Sequence, residues 1–219
     1  WVRLSEILDV AGVPTRPALP TLAAILVSNR PDRVADALAA LTRQTRLPDE
    51  VVVGLHGIAP SGIDGACERM PFPVRIERFP NDITLGEALN RSIARTGAML
   101  ISKVDDDDHY GPGFYEDAVH DLALSTAGVV GKAAMFMYRG DNDTMVLRRI
   151  DQDDAVIGGT MPGGSLVMHR RVWDRVGFPH RPRFVDALLL EGARRAGETT
   201  VSGNRFEFCL VRHGVEHTF

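Results

Sequence analysis

The sequence predicts an α/β fold with a largely parallel sheet and a small antiparallel addition in its second half. Two observations predict it. Up to Val104, short apolar runs of strand length alternate with segments of helix length, the pattern of right-handed β–α–β crossovers. Beyond residue 126 the texture changes to apolar stretches that flank an acidic turn, as in a hairpin.

Residues 1–20 carry Pro14, Pro17 and Pro20 and read as a lead-in or interdomain linker, so the ordered domain is expected over 21–219. Leu22 to Val27 is a continuous apolar run of the buried-strand kind. Asp32 to Thr42 follows with Val34, Ala37, Leu38 and Leu41 at helical spacing. The next step pairs Glu50–Val53 as strand with a helical stretch near Asp64 to Arg69. A third pairs Val74–Ile76 as strand with Leu85 to Ala94 as helix, and Ala98 to Val104 is the fourth strand. In the second half, Ala127 to Tyr138 and Thr144 to Arg148 read as strands around Asp141, Asn142 and Asp143. That acidic turn is not a calcium loop, because the glycine and the bidentate glutamate such a loop requires are missing. A glycine-rich loop, Gly158 to Ser165, precedes the apolar Leu166–Met168 and a helix over Arg170 to Val176. Two readings of that loop stand side by side: close backbone approach to a ligand, or a mobile connector. It is not a phosphate-binding P-loop, because Gly-Lys-Ser/Thr is absent.

Composition narrows the class of function. With 44% hydrophobic and 25% charged residues and a formal net charge of -4, the 219-residue chain is an ordinary globular one, long enough for one domain or one with a small appendage. Arginines are dispersed rather than gathered in a stripe, which argues against a nucleic-acid partner. Cys67 and Cys209 lie far apart without metal-ligand spacing, so neither a disulfide framework nor a zinc site is expected, and a reducing cytoplasm is the expected location. No apolar run approaches a membrane span, and the opening Trp1 to Glu6 lacks the plan of a signal peptide. A chain that begins on Trp1 rather than Met is expected to be a piece of something longer, with room for further domains.

The residues richest in chemistry are Asp105, Asp106, Asp107 and Asp108, set at the end of the fourth strand just after Lys103. Four adjacent carboxylates repel one another and gain no core burial, so a hard divalent cation bound through oxygen is the natural neutraliser. The alternative is a solvated acidic turn. The strand favours the cation, because it delivers the acids to the carboxyl edge of the sheet, where open α/β folds bind ligands.

Several segments in order carry a family resemblance. They are Ile25 to Arg33, Gln44-Thr45 with Pro48 to Val53, and Leu85 to Arg91. Asp105 and Asp107 follow in an Asp-x-Asp arrangement, then Gly163 to Phe178 and Phe184 to Glu191. Over residues 21–219 the chain resembles the family 2 glycosyltransferases, whose GT-A fold is a Rossmann-like, mainly parallel sheet flanked by helices. The resemblance implies an inverting, metal-dependent transfer of a sugar from a nucleoside diphosphate sugar to an acceptor hydroxyl, with Mn2+ or Mg2+ as cofactor. It assigns the metal to Asp107, with Asp105 reaching the ribose or the metal. Asp106 is grouped with the donor-side acids, and Asp106 and Asp108 otherwise only shape the turn. His217 near the end is an expected imidazole ligand, in preference to His213, unless it is simply a surface residue.

By the same resemblance Asn29 and Arg30 lie near the base or ribose, and Arg91 and Lys103 contact the diphosphate. Asn90 is either donor-binding or structural, and Arg91 has the alternative of a solvated helix position. Gly163, Gly164 and Ser165 belong to the acceptor-side loop. Asp186 is the expected catalytic base, since an attacking hydroxyl must lose its proton to a carboxylate, and its apolar neighbours would raise its pKa; a helix N-cap is the alternative.

Two departures from the family pattern stand out. Val185 replaces the acid that usually precedes the base, and Gly54-Leu55-His56-Gly57 replaces the segment that usually carries a base-reading Asp. His56 is left to stack or hydrogen-bond there, and uridine, guanosine and deoxythymidine donors all stay open, as does the acceptor. These departures also support a catalytically silent GT-A-like module that binds a sugar nucleotide or carbohydrate within a larger protein. A nucleotidyltransferase is disfavoured because Ser28 to Arg33 contains no glycine, and a phosphoryl-transfer enzyme because no phosphate cradle is found.

Overall fold

A computed structural model describes residues 19–58 and 63–213. The expectations for 1–18 and for His217 lie outside the described residues.

Strand β1 (Leu22–Ser28) is buried along its whole length and pairs in parallel with β2 (Glu50–His56) on one side. On its other side lies β4 (Leu100–Val104), also parallel, and β3 (Val74–Phe79) extends the sheet beyond β2. Such a strand has no solvent face. Leu22, Ala24 and Leu26 enter one core cluster, and Ala23, Ile25 and Val27 enter the other. This explains why the run is apolar without alternation. Helix α1 (Pro31–Leu41) covers the first face with Val34, Ala37, Leu38 and Leu41, and opens on a proline at its first position, where no amide bond is lost. Helix α2 (Asp64–Cys67) is a single turn. Helix α3 (Leu85–Ile93) covers the second face, capped by the Thr84 hydroxyl, which accepts from the Glu87 amide.

After β4 come the short β5 (His109–Tyr110) and helix α4 (Phe114–Leu124), which joins α1 on the first face. The run predicted as one strand from Ala127 to Tyr138 is two: β6 (Ala127–Gly131) in the large sheet and β7 (Met135–Arg139) in a second one. Side chains make the break. The Lys132 amide donates to the Ser165 hydroxyl at 3.0 Å and the Ala133 amide to the Ser202 hydroxyl at 2.9 Å, so neither bonds to a neighbouring strand. Strand β8 (Thr144–Arg148) pairs antiparallel with β7, which makes Asp141–Asp143 the predicted hairpin turn.

The large sheet is completed by β9 (Ala155–Val156), β10 (Val167–His169) and β11 (Thr199–Ser202), with helix α5 (Arg170–Val176) and helix α6 (Val185–Arg195) on the second face. Its strand order is β3-β2-β1-β4-β10-β6-β11-β9, and β10 is the antiparallel insertion between β4 and β6. The second sheet, β5-β12-β7-β8, is closed by β12 (Phe208–Arg212). It is mixed rather than purely antiparallel, since β12 runs parallel to β7.

Candidate active site

Because β1 and β4 are parallel and in register, with Leu26 opposite Val104, their carboxyl ends emerge together. Ser28 and Arg30 leave one strand where the four aspartates leave the other. The Ser28 hydroxyl donates to Asp106, and the Arg30 guanidinium grips Asp106 and reaches Asp107 Oδ2 at 2.9 Å. With its side chain 4% exposed, Asp106 is an ion-pair partner that ties the acidic turn to β1.

Lys103, the penultimate residue of β4, has an almost fully buried side chain whose Nζ lies 2.6 Å from Asp105 Oδ1 and 3.6 Å from Asp186 Oδ2. Burial works against its positive charge, yet Asp105 and Asp186 outweigh that cost and hold the ammonium protonated above its usual range. Burial raises the Asp186 carboxyl above the ordinary carboxylate value, partly offset by Lys103, and Asp105 pushes it further in the same direction as burial. One lysine therefore joins the expected donor-side acid to the expected base.

Tyr110 buttresses the turn. Its hydroxyl accepts the Asp105 amide at 2.9 Å and donates to the Gly164 carbonyl at 3.0 Å. Asp108 accepts the Val211 amide from β12 on Oδ1 at 3.0 Å, while its Oδ2 is buried without a hydrogen-bond partner. Burial, with Asp105 adding to it, raises the Asp108 carboxyl well above its usual value.

The glycine loop folds into a 3₁₀ turn, Gly163–Ser165, laid directly over these carboxylates. A Cβ on Gly164 would meet Asp108 Oδ2 at 2.6 Å and Asp105 Oδ2 at 3.0 Å, and one on Gly163 would overlap the Asp186 carboxylate. Neither glycine has a positive φ, so what these positions require is closeness rather than backbone freedom. Between this floor and the segment Pro182–Asp186 lies a cavity of about 560 Å³, also lined by Arg30, Lys103 and Asp105 to Asp108.

The structure thus brings together Arg30, Lys103, Asp105, Asp106, Asp107, Gly163 and Asp186, with Gly164 on the acids. Others lie elsewhere. The Asn90 carboxamide receives the Trp173 indole N–H at 2.8 Å and the Phe178 amide at 2.9 Å, and donates back to the Phe178 carbonyl at 2.8 Å. It is a structural clamp. Arg91 pairs with Glu87 one turn back on the exposed face of α3, away from the cavity. His56 is buried, with Nε2 2.9 Å from the Ile83 carbonyl oxygen, and does not line the cavity. Ser165 is turned inward, donating to the Pro162 carbonyl and accepting the Lys132 amide. Asn29 is half-buried and does not line the cavity either. Asp186 is not the helix cap: Phe184 holds that position and Asp186 is the second residue of α6, free to face the cavity.

Sequence reasoning missed Arg212 and Tyr110. Arg212 lines the cavity with Leu210 from β12, and the alternation Phe208, Leu210, Arg212 was the only signal that one face of this strand points inward. It also passed over Phe184, which stands at the cavity rim.

Among the described residues no group of three or more His, Cys, Asp or Glu side chains is arranged to hold a metal ion. A sparser shell is available, because Asp105 and Asp108 both converge on Gly164 and Asp108 keeps an unpartnered buried oxygen. Hard cations that bind through one or two carboxylates and through phosphate oxygens need no more from the protein. Asp107, the expected first ligand, lines the same cavity and gives its Oδ2 to Arg30 at 2.9 Å.

A helix-flanked, mainly parallel sheet that presents aspartates at its carboxyl edge, beside a small second sheet, is the GT-A fold found in glycosyltransferases. Among solved structures, the chain is similar to residues 1–349 of S. aureus TarS in complex with UDP-GlcNAc, with a TM-score of 0.70 and 15% identity over 90% of this chain and 60% of that one. It is also similar to the mannosyltransferase PcManGT from Pyrobaculum calidifontis in complex with GDP-Man and Mn2+, with a TM-score of 0.67 and 15% identity over 91% of this chain and 59% of that one. The chain therefore spans about 60% of the length of these structures. No protein-family model matches it, and no curated protein does. No helix among the described residues is long and apolar enough to cross a membrane.

Proposed function

We propose that this chain is the catalytic domain, over residues 21–219, of an inverting, metal-dependent glycosyltransferase of the family 2 type that uses a nucleoside diphosphate sugar. The observation that carries the proposal is a cavity lined by Asp105, Asp108 and Asp186 together, with the Lys103 ammonium 2.6 Å from Asp105 and 3.6 Å from Asp186. The donors named in the two similar complexes, UDP-GlcNAc and GDP-Man, support the substrate class without selecting the base or sugar.

In this reading the acceptor oxygen attacks the anomeric carbon as the bond from that carbon to the phosphate oxygen breaks, and the acceptor proton passes to Asp186. Inversion follows from a single displacement with base and leaving group on opposite faces. Asp186 suits the role because burial raises its proton affinity above that of an ordinary carboxylate, and Lys103 offsets part of that rise. Negative charge gathers on the departing diphosphate. Arg30 and Arg212 line the cavity and supply fixed positive charge. A bound Mn2+ or Mg2+ would add Lewis-acid stabilisation of that charge, held by Asp108 and Asp105. The carboxylates would otherwise repel the donor, so neutralising them is a condition of binding.

The test is thermal stability of the chain against nucleoside diphosphates and their sugars, with and without Mn2+, beside Asp108→Asn and Asp186→Asn. A ligand of the native state raises the melting temperature by mass action. The expected result is a shift that needs both Mn2+ and one nucleotide, is lost in Asp108→Asn, and survives in Asp186→Asn, which turns over no donor. No shift with any nucleotide would overturn the proposal and favour a silent module.

A further inference from the structure

We infer that the acceptor is a carbohydrate and that one of its sugar rings stacks on Phe184, which places the ring's hydroxyl before Asp186. The inference rests on the transferase reading for the role of Asp186, but not for the existence of the sugar-binding platform.

Phe184 is out of place by ordinary rules. Its side chain leaves it 78% exposed, and of the large apolar side chains exposed among the described residues it alone lines the cavity. Its backbone sits at φ 61° and ψ 20°, the left-handed region that a bulky residue rarely enters. Glycine or asparagine would hold that conformation at lower cost, so a helix cap by itself does not explain a phenylalanine here. Strained backbone with an exposed aromatic at a cavity rim is a pattern of functional sites, and the surroundings must enforce it.

Here they do. The Phe184 carbonyl accepts the Leu188 amide at 3.2 Å as the first bond of α6. The preceding segment is fastened to α3, with Asn90 gripping Phe178 and the Gly86 amide donating to the Arg181 carbonyl at 3.2 Å. The ring is therefore presented on a fixed support rather than on a loose loop.

The chemistry around the ring selects the ligand. Phe184 is the one aromatic among the residues that line the cavity, and Arg183, Arg30, Lys103 and Asp186 line it too, charged groups that a lipid chain would leave without partners. A sugar ring matches that setting, having an apolar C–H face for the aromatic and a rim of hydroxyls for charged and backbone partners. Only Val185 separates Phe184 from Asp186, at most roughly 7 Å along the chain, so the stacked ring or its immediate neighbour delivers the hydroxyl to the base.

The experiment is binding of the labelled chain to an array of immobilised oligosaccharides, with and without UDP or GDP and Mn2+, for wild type, Phe184→Ala and Phe184→Trp. The expected result is retention of a subset of glycans, at least tenfold weaker in Phe184→Ala and restored in Phe184→Trp. Melting temperatures should stay at or above that of wild type, since the side chain is exposed. Wild type that binds no glycan, or Phe184→Ala that binds as well as wild type, overturns the inference, as does retention that follows only aryl or alkyl linkers. Release of nucleoside diphosphate from donor sugars is measured in parallel. If no donor is turned over while glycans are still retained through Phe184, the transferase reading fails and the platform stands. If donor hydrolysis is intact and equal in Phe184→Ala while glycan binding does not depend on Phe184, the platform fails alone.

Discussion

Gly163→Ala is the sharpest test of how the site is built. The added methyl would lie 2.7 Å from Asp186 Oδ1 and closer still to the rest of that carboxylate, whereas ordinary contact begins at 3.4 Å. Asp186 Oδ2, at 2.0 Å from that methyl, must then retreat by more than 1 Å, and a displacement of about 1 Å at a reacting group costs roughly 10²-fold in rate, or about 2.7 kcal/mol of transition-state stabilisation. The fold should tolerate the change, because the obstructed atoms are the far end of a side chain that can rotate into the cavity and because φ at residue 163 is not positive. The assay is kcat/KM from nucleoside diphosphate release, read beside the melting temperature. Gly159→Ala is the control, since its methyl would meet nothing nearer than Ile157 Cγ2 at 4.0 Å and should leave the rate unchanged. A Gly163→Ala variant with more than half the wild-type kcat/KM would refute the assignment of Asp186 as a base positioned by this loop.

Three further outcomes are expected. Lys103→Met should move the acidic limb of the kcat/KM profile to higher pH: the base works deprotonated, activity is lost as pH falls through its pKa, and removing the ammonium raises a pKa that burial has already raised; an unmoved limb would mean that Lys103 does not act on the base. Arg30→Ala strands the buried Asp106 without its guanidinium and should cost about 1–3 kcal/mol, seen as a melting temperature several degrees lower, whereas a surface pair would show no change. Asn90→Ala removes three hydrogen bonds that join α3 to α5 and the following loop, and should cost about 2 kcal/mol while leaving the affinity for nucleotide unaltered; a selective loss of nucleotide binding would restore the donor role expected from sequence.

Much of the architecture was legible because it is local. Leu22–Val27 is apolar at every position, which only a strand buried on both faces explains, and the acids that follow Val104 are placed at the sheet edge by chain continuity alone. Asp186 was legible as a carboxylate in an apolar setting. What the sequence left open shares a cause. Asn90 and Arg91 are adjacent on α3, so the rotation of that helix decides where each points, and its packing against Phe178 and Trp173 turns Asn90 inward and Arg91 to solvent. The break after β6 depends on hydroxyls of Ser165 and Ser202, 33 and 69 residues away from the amides they receive.

The sequence by itself determined that this is an α/β chain with a carboxylate cluster at a strand end and a second carboxylate late in the chain, because strand burial and chain order are written in neighbouring residues. Only the tertiary structure set the partners of each acid. It gave Asp106 and Asp107 to Arg30, left an oxygen of Asp108 without a partner, joined Asp105 to Asp186 through Lys103, and set Gly163 and Gly164 against the carboxylates. Those outcomes rest on distances between residues far apart in the chain, and such distances are fixed by how helices and strands pack, not by their spacing in sequence.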